Sequence, residues 1–309
     1  RWRITTTVLF NNTKQVLLAK RHQNKQVHPG LWGPTAAGTL EQHETSEENA
    51  YKELEEEVGI TDVKLDLLGT FYADHPTYLR FIDVYTGTCS VDIDSLQYEP
   101  DEVEEAQWFD IEFLAKDLVE NPDKYVPDVA NIFNAVGIET PPSTLEYVQV
   151  VNQDDNLQFY KPRPISDGST YRISVAWIED GQGNALVHKR SMTKSAGAGR
   201  WENAAGGVIA STETPEENIY KEVAEEIGVT EIDLEFITKT TVHTTRGDRI
   251  CYWYKGILDR NEWPEDRFVL EEDSVDEIKW VNKTELYADQ QARPDAYMPS
   301  SSFWQKLFP

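Results

Sequence analysis

Apolar or β-branched residues alternate with polar ones in "ITTTVLF" (4–10) and again in "ISVAWIE" (173–179). That period of two predicts half-buried strands. After a turn each run is followed by a shorter apolar segment, "LLAKR" (17–21) or "LVHKR" (186–190), then by a loop containing Pro or Gly and a tryptophan. The period then changes. Ala50, Leu54 and Val58, like Ile219, Val223 and Ile227, recur every four residues and form one apolar stripe on a helix. Further strands are expected at "LLGTFYA" and "LRFIDVYTG" in the first half and at "LEFITKTTVH" and "RICYWYKGI" in the second, with a closing helix in each.

The two halves are copies. A displacement of 169 residues pairs Arg3 with Arg172, Lys20 with Lys189, Arg21 with Arg190, Gly30 with Gly199 and Trp32 with Trp201. Over residues 38–60, 12 of 23 positions are identical at that displacement, so the repeat is a whole unit and not one helix. Later the displacement is 172, pairing Trp108 with Trp280 and "PDKYVP" with "PDAYMP". Strands mixed with few helices predict an α+β fold, a sandwich of sheet and helices, made twice. The division falls in "GIETPPS", where paired prolines break both periodicities. The expected domains are 1–138 and 145–309, with a linker at 139–144. The segment from Leu145, "LEYVQVVNQDDNLQFYKPRP", reads as an extra hairpin of the second domain, whose counterpart in the first would precede Arg1.

Thr45 with Glu48, and Thr214 with Glu217, are spaced as capping boxes, and Pro215 suits the first helical position. Gly59 and Gly228 stand where each helix should end in a left-handed residue. Within these limits Glu53, Glu56 and Glu57 lie at i, i+3 and i+4, and Glu222, Glu225 and Glu226 repeat the spacing. The expectation is one shared face, turned away from the apolar stripe. Like charges so placed cost a few tenths of a kcal/mol per pair in water, and more in a cleft. A hard divalent cation would remove that cost.

Composition narrows the partners. With 39% hydrophobic and 27% charged residues the chain has the balance of a soluble globular protein. A net charge of −26 argues against nucleic acid and anionic membrane surfaces as partners, with solubility alone as the other reading of the charge, and an anionic substrate would need a bound cation to approach. Two cysteines, Cys89 and Cys251, make neither a disulfide framework nor a zinc cluster, and a cytoplasmic setting is the simplest expectation. The chain begins at Arg1 and not at methionine, so a preceding segment is expected.

The spacing G-x5-E-x7-[R]-E-U-x-E-E-x-G-U, with U apolar, resembles the Nudix box. Gly38, Glu44, Lys52, Glu53, Leu54, Glu56, Glu57, Gly59 and Ile60 fill it once, and Gly207, Glu213, Lys221, Glu222, Val223, Glu225, Glu226, Gly228 and Val229 fill it again. The resemblance implies two Nudix α/β/α sandwich domains with mixed β-sheets, MutT-like, which cleave a diphosphate linked to another moiety with Mg²⁺ or Mn²⁺. It implies that Glu53, Glu56, Glu57, Glu222, Glu225 and Glu226 hold the metal, with Glu53 and Glu222 acting on the attacking water. A small-molecule diphosphate would be the substrate, and the two domains would imitate a dimer within one chain. Arg21 and Arg190, at strand ends, are candidate phosphate clamps. Both boxes depart from the pattern in having Lys52 and Lys221 in place of arginine, and His43 and Thr212 where glycine is common.

"PGLWGPTAAG", "GRWENAAGG" and the "PDxYxP" elements resemble the isopentenyl-diphosphate-isomerase-like branch, which raises an isomerase as the rival activity. Isomerases of that branch place a catalytic cysteine where this chain has Ala37 and Gly206. A diphosphate-binding module without turnover is the other alternative. Glu102, Glu105 and Glu277 are candidate further bases, and Trp32, Tyr72, Trp201 and Trp253 are candidate stacking residues or packing.

Overall fold

The computed structural model describes residues 2–75, 78–127, 129–136, 147–163 and 168–309. The expected linker at 139–144 lies outside the described residues. Two compact units result, one of residues 1–147 with 158–163 and the other of 148–157 with 164–309. The segment expected to be a hairpin of the second unit is therefore shared between the units. Tyr160 stacks on Phe71 at 4.7 Å in the first, and Val148 bridges Ala210 in the second.

In the first unit β1 (Trp2–Phe10), β2 (Gln15–Arg21), β3 (Trp32–Gly33) and β4 (Ala36–Thr39) precede helix α1 (Ser46–Val58). Strands β5 (Leu65–His75), β6 (Tyr78–Thr88) and β7 (Val103–Asp110) follow, then helices α2 (Ile111–Glu120) and α3 (Val129–Ala135). Strand β1 runs parallel to β6 and antiparallel to β4, while β2 is antiparallel to β7. The sheet is mixed, as expected. Strand β8 (Tyr147–Val151) and β9 (Leu157–Pro162) lead into the second unit, which is built from β10 (Gly168–Glu179), β11 (Asn184–Arg190), β12 (Trp201–Glu202), β13 (Ala205–Val208) and α4 (Pro215–Ile227). It closes with β14 (Leu234–Val242), β15 (Gly247–Ile257), β16 (Val275–Asn282), α5 (Lys283–Ala292) and α6 (Trp304–Leu307).

The registers repeat as the sequence does. Ile4 pairs with Thr39, and Ile173 with Val208; Leu17 pairs with Trp108, and Leu186 with Trp280. Alternation along the strands gives each sheet two apolar faces. In the first unit Leu9 and Leu17 pack with Ala50, Leu54 and Val58 of α1, whereas Val8, Val16 and Leu18 pack with Leu114 and Phe133 on the other side. In the second unit Ala176, Ile178 and Leu186 meet Ile219, Val223 and Ile227, and Trp177 and Val187 meet Leu286, Trp304 and Phe308. Each unit is thus a helix–sheet–helix sandwich, held by apolar burial on both sides of the strands.

Helix boundaries follow their signals. Thr45 and Thr214 cap α1 and α4 with complete capping boxes, and Gly59 and Gly228 end them at φ 72°. His43 takes φ 78°, a left-handed backbone that costs a residue with a Cβ roughly 1 kcal/mol; Thr212 is not among the left-handed residues. His43→Gly should therefore raise stability by up to about 1 kcal/mol, while Thr212→Gly should lower it by adding unfolded-state entropy. Calorimetric midpoints of both variants check the opposite signs.

Candidate active site

Each box helix lies against the short strand that precedes it, β4 in the first unit and β13 in the second. The spacing of the box brings a glycine of that strand under the first metal-candidate glutamate. A Cβ added at Gly38 would overlap the carboxyl of Glu53, and one at Gly207 the carboxyl of Glu222, so a hydrogen is the only side chain that leaves room. The next turn brings in Glu57, whose Oε2 accepts from the backbone N–H of Ala37 at 3.1 Å, and Glu226, which accepts from Gly206 at 3.0 Å.

These contacts correct one expectation. Glu57 and Glu226 are buried, not turned to solvent with their neighbours, while Glu56 and Glu225 are exposed and Glu53 and Glu222 half-buried. Position 57 lies one residue from Val58 and three from Leu54, at the edge of the apolar stripe, and the strand backbone supplies the donor that makes burial tolerable. The cost shows in the titration. Burial, opposed in part by the Ala37 N–H, pushes the Glu57 carboxyl up to about 8. Burial together with the charge of Glu226 pushes Glu222 up to about 7, and burial raises Glu53 and Glu226 as well.

Asn49 and Asn218 organise the rest of the box. Asn49 Nδ2 donates to Glu44 at 2.9 Å and to Glu53 at 3.3 Å, and its Oδ1 accepts from Thr5 at 2.5 Å. Asn218 donates to Glu213 at 2.8 Å and to Glu222 at 3.4 Å, and accepts from Ser174. Both are fully buried. Sequence reasoning missed them, although an identical asparagine inside two helices, where it is a poor helix former, was a usable signal. The lysines at the arginine position reach the same glutamates: Lys221 pairs with Glu213 at 2.9 Å, and Lys52 lies 3.8 Å from Glu44 and 3.6 Å from Glu41.

Arg21 and Arg190 both follow a register shift in their strands and donate to loop carbonyls at 3.1 Å, Val27 and Ala196 respectively. Beyond that they differ. Arg190 also pairs with Glu202, which in turn bonds His188 Nε2 at 3.1 Å; His188 Nδ1 faces the carbonyl of Ala204 at 3.0 Å. Burial alone would raise Glu202, but Arg190 and His188 hold its carboxyl down to about 2. Burial opposes the charge of His188, yet Glu202 raises it. The first unit has Ala19 and Gly33 at these two positions, so nothing in the first copy signalled the cluster.

Of the further candidates, Glu102 pairs with Lys25 and contributes to the field at Glu57. Glu105 lies 3.2 Å from Lys20, and Glu277 pairs across the strands with Lys189. Trp253 is fully buried core and has no face left for a base. Trp32 packs edge-on against Phe109 at 5.0 Å, Tyr72 against Phe81 at 5.6 Å, and Lys279 covers Trp201 at 3.7 Å.

Among the described residues no three His, Cys, Asp or Glu side chains converge closely enough to enclose a metal ion. The donors nevertheless suit one. They are carboxylate oxygens, two of each set are withdrawn from solvent, and their raised affinity for protons records a negative charge that a hard cation would offset.

The sequence profile of the NUDIX domain matches residues 1–129 and 169–300, most of the chain and both units. The chain belongs to the Nudix family. An uncharacterized Nudix hydrolase of Pseudomonas aeruginosa is 31% identical over 124 residues, covering 40% of this chain and 70% of that protein. An isopentenyl-diphosphate Delta-isomerase of Cereibacter sphaeroides is 28% identical over 124 residues, covering 37% and 67%. The solved structure of DR0079 from Deinococcus radiodurans aligns at a TM-score of 0.38 with 20% identity, over 43% of this chain and 82% of that one. As a tandem Nudix protein the chain falls in a family of hydrolases acting on pyrophosphate bonds. Among its described residues no helix is long and apolar enough to cross a membrane.

Proposed function

We propose that this tandem Nudix protein uses Mg²⁺ or Mn²⁺ to hydrolyse a diphosphate bond in a nucleoside or other organic diphosphate derivative. The observation that carries the reading is the pair of carboxylates, made twice, that each unit withdraws from water over a glycine and a strand N–H. A solvated acidic face would need neither. Glu53, Glu56 and Glu57, and Glu222, Glu225 and Glu226, would hold the cation, which when bound would neutralise charge on the diphosphate and acidify water.

The protein's own part is orientation and proton transfer. Asn49 and Asn218 fix the carboxyls of Glu53 and Glu222 against those of Glu44 and Glu213. Burial raises both Glu53 and Glu222 above the ordinary carboxylate value, Glu222 to about 7, which makes each a stronger proton acceptor. Arg21 supports phosphate binding in the first unit, whereas the guanidinium of Arg190 is already engaged by Glu202.

The isomerase reading lacks its thiol at Ala37 and Gly206, and the amides of those same residues are used to hold Glu57 and Glu226. A panel of nucleoside triphosphates, sugar nucleotides, dinucleotides and prenyl diphosphates with Mg²⁺ tests the proposal. Glu53→Gln and Glu222→Gln should each cost the substituted unit roughly 10²–10⁴-fold, so the residual rate of each variant reports the other unit. Binding without hydrolysis would favour the binding module, and isomerisation without phosphate release the isomerase.

A further inference from the structure

The two sites differ in charge where they are most deeply buried. Both keep the same box glutamates, the same lysine beside them, and the pairs Arg21/Arg190 and Lys25/Lys194. Three positions around the buried glutamate change. Ala19 becomes His188, Gly33 becomes Glu202, and Glu102 becomes Ser274, as the strand registers align them.

In the first unit Glu57 faces Glu53 and Glu102, with Lys25 as the nearby cation, itself bound to Glu102. In the second unit Glu226 faces His188, Glu202 and Arg190. Both ring nitrogens of His188 meet oxygens that accept, a carbonyl and a carboxylate, an arrangement that an imidazolium satisfies in full. Ser274 supplies no charge; it accepts from Lys194 at 2.7 Å and donates to Glu271. Adding an imidazolium and a carboxylate while removing Glu102 leaves the second site one positive charge richer than the first.

A divalent cation is drawn to uncompensated carboxylates and repelled by fixed positive charge, most strongly where water is excluded. We propose that the two units are unequal in cation affinity: the first takes up the divalent ion tightly, and the second, already supplied with His188 beside Arg190, takes it up at least ten-fold more weakly. This rests on the function proposed above. At limiting cation the first unit alone would be loaded, and the second would act as a site filled only at high cation concentration or together with an anionic diphosphate.

Free Mn²⁺ measured by electron paramagnetic resonance during titration of the full chain tests it without an activity readout. The expected isotherm has two classes of site at least ten-fold apart. Glu56→Gln, a change at an exposed carboxyl, should remove or weaken the tight class, and Glu225→Gln only the weak one. His188→Gln, which removes the charge and keeps a hydrogen-bonding side chain, should tighten the weak class at least three-fold and leave the tight class unmoved; circular dichroism confirms that each variant is folded. Two equal classes, or loss of the tight class in Glu225→Gln, would overturn the inequality while leaving the hydrolase reading intact. No Mn²⁺ binding at all would overturn both.

Discussion

Gly38→Ala should silence the first unit while leaving it folded. The added methyl would occupy the space of the Glu53 carboxyl, and what it meets is the end of a flexible side chain and not backbone. The strand pairing of Gly38 with Thr5 needs no change, so the fold yields by swinging Glu53 away. A reacting group displaced by about 1 Å can cost on the order of 10² in rate. Assayed in a Glu222→Gln background, which isolates the first unit, the variant should therefore lose roughly 10²-fold in turnover, with a thermal midpoint within about 3 °C of its parent. Gly207→Ala in a Glu53→Gln background should repeat the result for the second unit. A large fall in midpoint with the rate per folded molecule unchanged would show that the glycine serves packing and not the carboxylate.

The largest stability effect is expected from Glu202→Gln. The substitution keeps the shape and leaves the buried His188 and the partly buried Arg190 without their counter-ion. Breaking one partner out of a buried ion pair typically costs about 3–5 kcal/mol. In a unit of this size that lowers the midpoint by on the order of 10 °C. The pH dependence has a definite sign. The folded-state carboxyl is depressed, so its contribution is fully present above the ordinary value of 4.5 and is lost as pH falls from there toward about 2. The carboxyl's share of the gap between wild type and variant should thus close over that acid window, while the share from His188, which Glu202 raises, is fully present below the ordinary imidazole value of 6.5 and is lost as pH rises above it. Combining Glu202→Gly with His188→Ala, the residues the first unit carries, should recover part of the loss. A gap independent of pH would show that the loss does not come from the charge of Glu202, and no gap would show that the cluster contributes nothing net.

Glu57 and Glu202 show where sequence reasoning stopped. A helical wheel places Glu57 correctly relative to Glu53 and Val58, but the wheel does not contain the strand lying beside it. The N–H of Ala37 is twenty residues away in the chain, and only the β4–α1 contact turns an acidic surface position into a buried one. The hairpin from Leu145 formed, but its assignment to the second unit alone did not hold, for a related reason. Its alternation was legible, yet which sheet each strand joins depends on partners such as Phe71 and Ala210, far away along the chain.

What the sequence by itself determined was everything governed by neighbours in the chain. It set the duplication, the alternating strands, the caps at Thr45, Thr214, Gly59 and Gly228, the apolar stripes, and through the box the family and its six carboxylates. Local propensity and periodicity act over a few residues, and a repeat doubles the signal. The tertiary structure alone decided which carboxylates lose water, which glycine makes room for them, and how the second site came to hold an imidazolium between Glu202 and a carbonyl. Burial and charge compensation are properties of groups brought together from distant positions, so they follow from the fold and not from spacing along the chain.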